Sequence, residues 1–137
     1  MATQPTLHEY IGIAPASGLE LAELVEQGLP IENLDRLKAK GLTFTEMGAT
    51  IISPRTLKHR KARGENLSPE ESERAIRVAS ILRLAESVFG NDDKAMRWLR
   101  AANNRLDDRT PLSLLTTESG GRLIESMLWG IDEGVFH

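Results

Sequence analysis

No cysteine occurs in the sequence, which excludes a disulfide framework, a thiolate zinc site and a cysteine nucleophile, and suits a reducing compartment. Long hydrophobic runs are missing as well. No apolar stretch approaches the roughly 20 residues that cross a bilayer, and Met1-Ala2-Thr3-Gln4-Pro5 carries neither a basic nor an apolar leader segment. A cytoplasmic protein without membrane contact is expected. Catalytic signatures are also absent: His8, His59 and His137 are scattered, and no HExxH, phosphate-cradling glycine loop or nucleophile elbow appears. Asp92-Asp93 and Asp107-Asp108 read more simply as a helix start and a polar loop than as a carboxylate pair or metal site. The chain is therefore expected to be no enzyme, with no catalytic residue, metal or cofactor.

What is present is ordinary in amount and uneven in placement. The 137 residues suit one domain or two small helical modules. A hydrophobic content of 40% and a charged content of 27% are close to globular usage, so a packed core is expected. The net charge is −3, from 17 basic and 20 acidic groups. Residues 1–50 carry three basic and seven acidic groups, 51–65 five and one, and 66–137 nine and twelve. The excess of positive charge is thus one short block, Arg55, Lys58, Arg60, Lys61 and Arg63 with His59 among them. Its field is local and attracts a polyanion to one face only.

The fold class predicted is all-α, because apolar residues recur at three and four residue spacings and no stretch shows sustained alternation. Pro30, Pro54, Pro69 and Pro111 stand at helix starts, and Gly28, Gly41, Gly64, Gly90 and Gly134 at helix ends, giving about seven helices. Ser68-Pro69-Glu70-Glu71 is a capping box that opens a long helix with an apolar stripe of Ala75, Val78, Ala79, Leu82, Ala85 and Phe89. The last helix carries Leu123, Ile124, Met127, Leu128 and Ile131 on one face. The charged, apolar-poor stretch 60–66 predicts a boundary between modules 1–65 and 66–137.

Thr43-Phe44-Thr45-Glu46 is a second capping box, and the chain turns at Thr50-Ile51-Ile52 into a third cap, Ser53-Pro54. This is the layout of a helix-turn-helix, whose second helix would carry Ser53, Arg55, Thr56, Lys58, His59, Arg60, Lys61 and Arg63 as DNA-binding residues. Arg55 and Lys58 are assigned to base edges and the flanking cations to phosphates. With Leu57 as the inward residue, Met47 stands where a small residue is usual and Ile51 where glycine is usual. The competing reading is a solvated basic face that binds nothing, against which the charge segregation argues.

The C-terminal half carries a further pattern. Leu67 to Arg74, Ala85-Glu86-Ser87-Val88-Phe89-Gly90, Ala95, Trp98-Leu99-Arg100, Asn103, Leu106, Arg109-Thr110-Pro111-Leu112, Leu114-Leu115, Thr117, Gly120, Ile131 and Gly134 follow in order. Over residues 25–137 the chain resembles the Xre/MbcA/ParS antitoxins. Ala102, where that family often has proline, and Asp107-Asp108, where small loop residues are common, depart from the pattern.

The resemblance implies an N-terminal Xre-like helix-turn-helix module and a C-terminal toxin-binding module. It also implies a RES-domain toxin partner that depletes NAD, and repression of the shared operator. A homodimer and a toxin-antitoxin hetero-oligomer are expected, nucleoid-associated when on the operator. The face from Leu123 to Ile131, with Trp129 beside it, is a candidate interface. Val135, Phe136 and His137 follow Gly134 as a short tail, and burying Phe136 in a toxin cleft would contribute roughly 1.5–3 kcal/mol. Trp129, Val135, Phe136 and His137 are the toxin-binding candidates, although Phe136 would suit packing on its own module equally well. The rival function is a stand-alone repressor whose C-terminal module only dimerises.

Overall fold

The computed structural model describes residues 4–132 and Gly134. Eight α-helices make up these residues: α1 Leu7–Ile11, α2 Gly18–Gln27, α3 Leu34–Ala39, α4 Phe44–Thr50, α5 Pro54–Arg63, α6 Pro69–Phe89, α7 Asp92–Arg100 and α8 Glu118–Asp132. Short 3-10 turns at Ile31–Asn33, Asn104–Leu106 and Leu112–Thr116 join them. The described residues contain no strand, only a single antiparallel bridge between Asn103 and Arg109. The all-α reading holds. No described helix is long and apolar enough to cross a membrane.

Helix α6 organises the rest. Its start is fixed by the expected capping box, in which Ser68 Oγ accepts from the Glu71 amide at 3.1 Å and Glu71 accepts from the Ser68 amide at 2.7 Å. Its end is Gly90, in the left-handed conformation that favours glycine. Between them Ala75, Val78, Ala79 and Ala85 are fully buried, and Ile76, Ile81 and Leu82 nearly so. The stripe is therefore wider than the sequence spacing suggested, because α1, α2 and α4 pack on α6 as well as α7 and α8. Phe89 is only partly buried, its ring 5.7 Å from that of Trp98.

The expected boundary at 65/66 falls in the α5–α6 loop, and one hydrophobic core continues across it. The loop is itself tied down: the Leu67 amide donates to the Leu29 carbonyl at 2.9 Å and the Leu29 amide to Ser72 Oγ at 2.9 Å. Gly28 makes this closeness possible, since a Cβ there would lie 2.1 Å from the Leu67 carbonyl oxygen. On α8, Ile124 and Leu128 are buried as expected, but Leu123 is 47% exposed and departs from the predicted face. At about 100° per residue it sits beyond Met127, on the edge of the buried stripe.

Candidate functional site

Helices α4 and α5 form the expected pair. The Thr43/Glu46 capping box is made, with Thr43 amide to Glu46 Oε1 at 2.9 Å and Glu46 amide to Thr43 Oγ1 at 3.1 Å. The turn explains why the two departures from the usual motif are tolerated. Ile51 has φ −120°, so nothing demands glycine, and its side chain is buried while Arg74 of α6 donates to its carbonyl at 2.9 Å. The small residue stands one place later than expected: a Cβ on Gly48 would meet Pro54 Cδ at 3.3 Å, so Gly48 lets α5 approach α4.

On α5, Ser53 caps the Thr56 amide at 3.2 Å and its hydroxyl donates to Thr56 Oγ1 at 2.9 Å. Leu57 is the one buried residue of this helix. Arg55, Lys58, His59 and Arg63 project away from it, on the face centred about 180° round the helix, and Lys61 lies exposed on its flank. Arg55, Lys58, His59, Lys61 and Arg63 have no ion-pair partner among the described residues.

Arg60 is different. Its Nε and Nη2 lie 2.7 and 3.2 Å from the two Glu71 oxygens, and Nη1 lies 3.8 Å from Glu65. It holds the end of α5 against the start of α6, so it is an internal strut where a phosphate contact had been expected. Burial pushes the Glu71 carboxyl up, but the Arg60 guanidinium and the Ser68 amide outweigh it and hold the group below its ordinary value. The acid read as half of a capping box thus accepts from two elements at once.

Two further clusters were not visible in the sequence. Arg100, at the end of α7, forks onto Glu46 at 2.6 and 2.8 Å and reaches the Gly41 carbonyl at 2.7 Å. It joins the first helix of the α4–α5 pair to the C-terminal half, and its hydrogen bonds hold the Glu46 carboxyl below its ordinary value. Buried Tyr10 donates from its hydroxyl to Glu86 and lies 3.1 Å from Asp92 Oδ1. Lys40 Nζ sits 4.6 Å above its ring and 3.8 Å from Asp92. Burial, then the Glu86 hydrogen bond, raises the Tyr10 pKa. These partners are 76 and 82 residues apart in sequence, beyond the reach of any local spacing rule.

In the C-terminal half, Trp129 is 48% exposed. Val135, Phe136 and His137 lie outside the described residues. Residues 103–109 close a tight loop: the Asn103 carbonyl accepts from the Leu106 and Asp108 amides, both at 2.9 Å, and the Asn103 amide donates to the Arg109 carbonyl at 3.0 Å. Asp107 and Asp108 have φ of 53° and 64°, a region that Asp tolerates better than most residues. Between this loop, Trp98 and the end of α8 runs an open groove of about 390 Å³. No group of three potential metal-ligating side chains occurs among the described residues.

Comparison with known proteins divides the chain in two. Residues 20–80 match the Antitoxin Xre-like helix-turn-helix domain, and residues 84–134 match the Antitoxin Xre/MbcA/ParS C-terminal toxin-binding domain. The matches meet inside α6. An Antitoxin Xre of Pseudomonas putida is 38% identical over 87% of this chain and 75% of its own length. Another from Yersinia enterocolitica is 31% identical over 95% of this chain and 90% of its own, and one from Photorhabdus laumondii 28% over 94% and 89%.

Proposed function

The chain belongs to the Xre antitoxin family, and from that premise we propose that it neutralises a RES-domain, NAD-depleting toxin and represses the operon encoding both. The observation that carries the DNA half of this reading is the outward row Arg55, Lys58, His59 and Arg63 on a capped helix, which makes no ion pair among the described residues in an otherwise acidic chain. Arg55 and Lys58 at the amino end of α5 read base edges, while Lys61 and Arg63 hold phosphates. One short recognition helix covers few base pairs, so the operator is bound by a two-fold dimer with half-sites about 34 Å apart.

The toxin half rests on the C-terminal domain match. Trp129 supplies an exposed aromatic anchor of the type enriched at interfaces, and the tail Val135-Phe136-His137 enters the toxin's active-site mouth. Co-expression with the toxin encoded beside it, scoring growth and cellular NAD, tests neutralisation, and footprinting on the shared promoter tests repression. Deleting residues 135–137 should leave operator binding intact and abolish protection. Full protection by the truncated protein would eliminate the plug. Protection without operator binding would remove the repressor half.

A further inference from the structure

We propose that the groove between α7, the loop 103–109 and the end of α8 is the seat for a toxin segment that presents one bulky apolar side chain. The assignment rests on the antitoxin reading above and adds the place of contact. All the groove's lining residues fall within the stretch that matches the toxin-binding domain.

Its shape suits such a segment. The groove, about 390 Å³, is of the size that takes a few side chains. Half-buried Trp98, braced by Phe89, forms one side with Met127 and Ile131, while Asn104, Arg105 and Asp108 stand at the polar rim. The rim wall is pre-set. Four backbone hydrogen bonds close the loop, and two successive left-handed aspartates hold it in a conformation that persists only where the surroundings impose it. A docking segment therefore meets a wall already ordered, which reduces the entropic cost of binding.

The apolar edge of the groove fixes the kind of partner. Leu123, Met127 and Ile131 stand at i, i+4 and i+8 on α8, so 47% exposed Leu123 extends the apolar edge of the groove along the helix. Arg105 lines the groove together with Asp108, so the rim carries both signs and it is the apolar side chain that the seat selects. Trp129 is about 200° round α8 from Met127 and faces elsewhere, so groove and Trp129 can be tested apart.

The test uses the full chain and the catalytically inactivated toxin encoded beside it. Ala102→Trp fills the groove from an exposed position without removing a core contact; Leu123→Ser shortens its apolar edge. Ala102→Trp should weaken toxin binding about 30-fold or more, as at an interface centre, with operator affinity and thermal unfolding unchanged. Leu123→Ser should weaken it several-fold. If both variants keep wild-type toxin affinity, the groove is not the seat, while the antitoxin reading stands. If the wild-type chain does not bind the toxin at all, that reading fails and the assignment fails with it. Trp129→Phe leaves Trp98 as the single tryptophan of the original two, and because Trp129 is itself a proposed toxin anchor, the emission is read at toxin concentrations that saturate this variant. In that background its emission should shift on toxin addition and stay unchanged on deleting 135–137 from the free chain. A shift on deletion would show that the chain's own tail occupies the groove, and loss of a dimer in Ala102→Trp that a second copy does; either overturns the proposal.

Discussion

Helices α5 and α6 are neighbours in the chain and are punctuated alike. Each starts with a serine cap followed by proline and ends at a left-handed glycine, Gly64 in one and Gly90 in the other. Their surroundings are opposite. Helix α5 buries only Leu57, whereas α6 buries nine residues, Glu71 and Ser72 among them. Caps and glycines decide where a helix begins and ends, and the residues between them decide what it faces. On α6 apolar residues recur on several faces, so helices surround it. On α5 a single leucine anchors a helix whose other long side chains are cations with no ion-pair partner among the described residues, Arg60 excepted.

The contrast breaks most readily at the contact between the two helices. Glu71→Ala leaves Arg60 and the Ser68 amide without their acceptor, and is expected to cost about 3 kcal/mol of folding stability. Thermal or denaturant unfolding measures this. Glu71→Gln, which keeps the cap acceptor but loses the charge, should cost less. Leu57→Ala comes next, at roughly 2–3 kcal/mol, because it removes the only apolar anchor of α5. Lys58→Ala, one residue on, should stay within about 0.5 kcal/mol of wild-type stability yet weaken operator binding.

Much of this was legible beforehand because it is local. Both capping boxes, the proline starts, the glycine ends and the basic block are patterns within a few residues, and each is found where it was expected. The helix pair was legible for the same reason. What the sequence concealed is tertiary. Arg60 looked like its neighbours on α5, and only the position of Glu71 makes it a strut. Glu46 looked like a cap and is also the partner of Arg100, 54 residues away. Leu123 fitted the apolar spacing of α8 but lies past the edge of the contact that α6 and the 112–116 turn provide. The groove beside Trp98 depends on a loop whose aspartates take left-handed backbone, a feature with no distinct sequence signal beyond their departure from the family pattern.

Smaller effects sharpen the comparison. Arg55→Ala should relax base preference at one position of the operator by about 1–3 kcal/mol, read by binding to substituted operators, with stability unchanged. Glu46 and Glu71 both titrate below their ordinary value of 4.5. Their contribution to stability is therefore complete above that pH and is lost as pH falls through the lower folded values. An unfolding midpoint followed from pH 7 to 3 should fall in that acid range, and the fall should be blunted in Glu71→Gln. The smallest change is expected for Lys61→Ala, which should make the log-log salt slope of operator binding shallower by about 0.9 and leave sequence preference intact.

The most direct test of the proposal that the chain meets DNA through charge on α5 and a toxin through shape in its C-terminal half is a salt titration of both complexes. Operator affinity should fall steeply with salt, with a slope of about −0.9 for each phosphate contacted, while toxin affinity changes little over the same range. Toxin binding as salt-sensitive as operator binding, or operator binding indifferent to salt, would contradict the account.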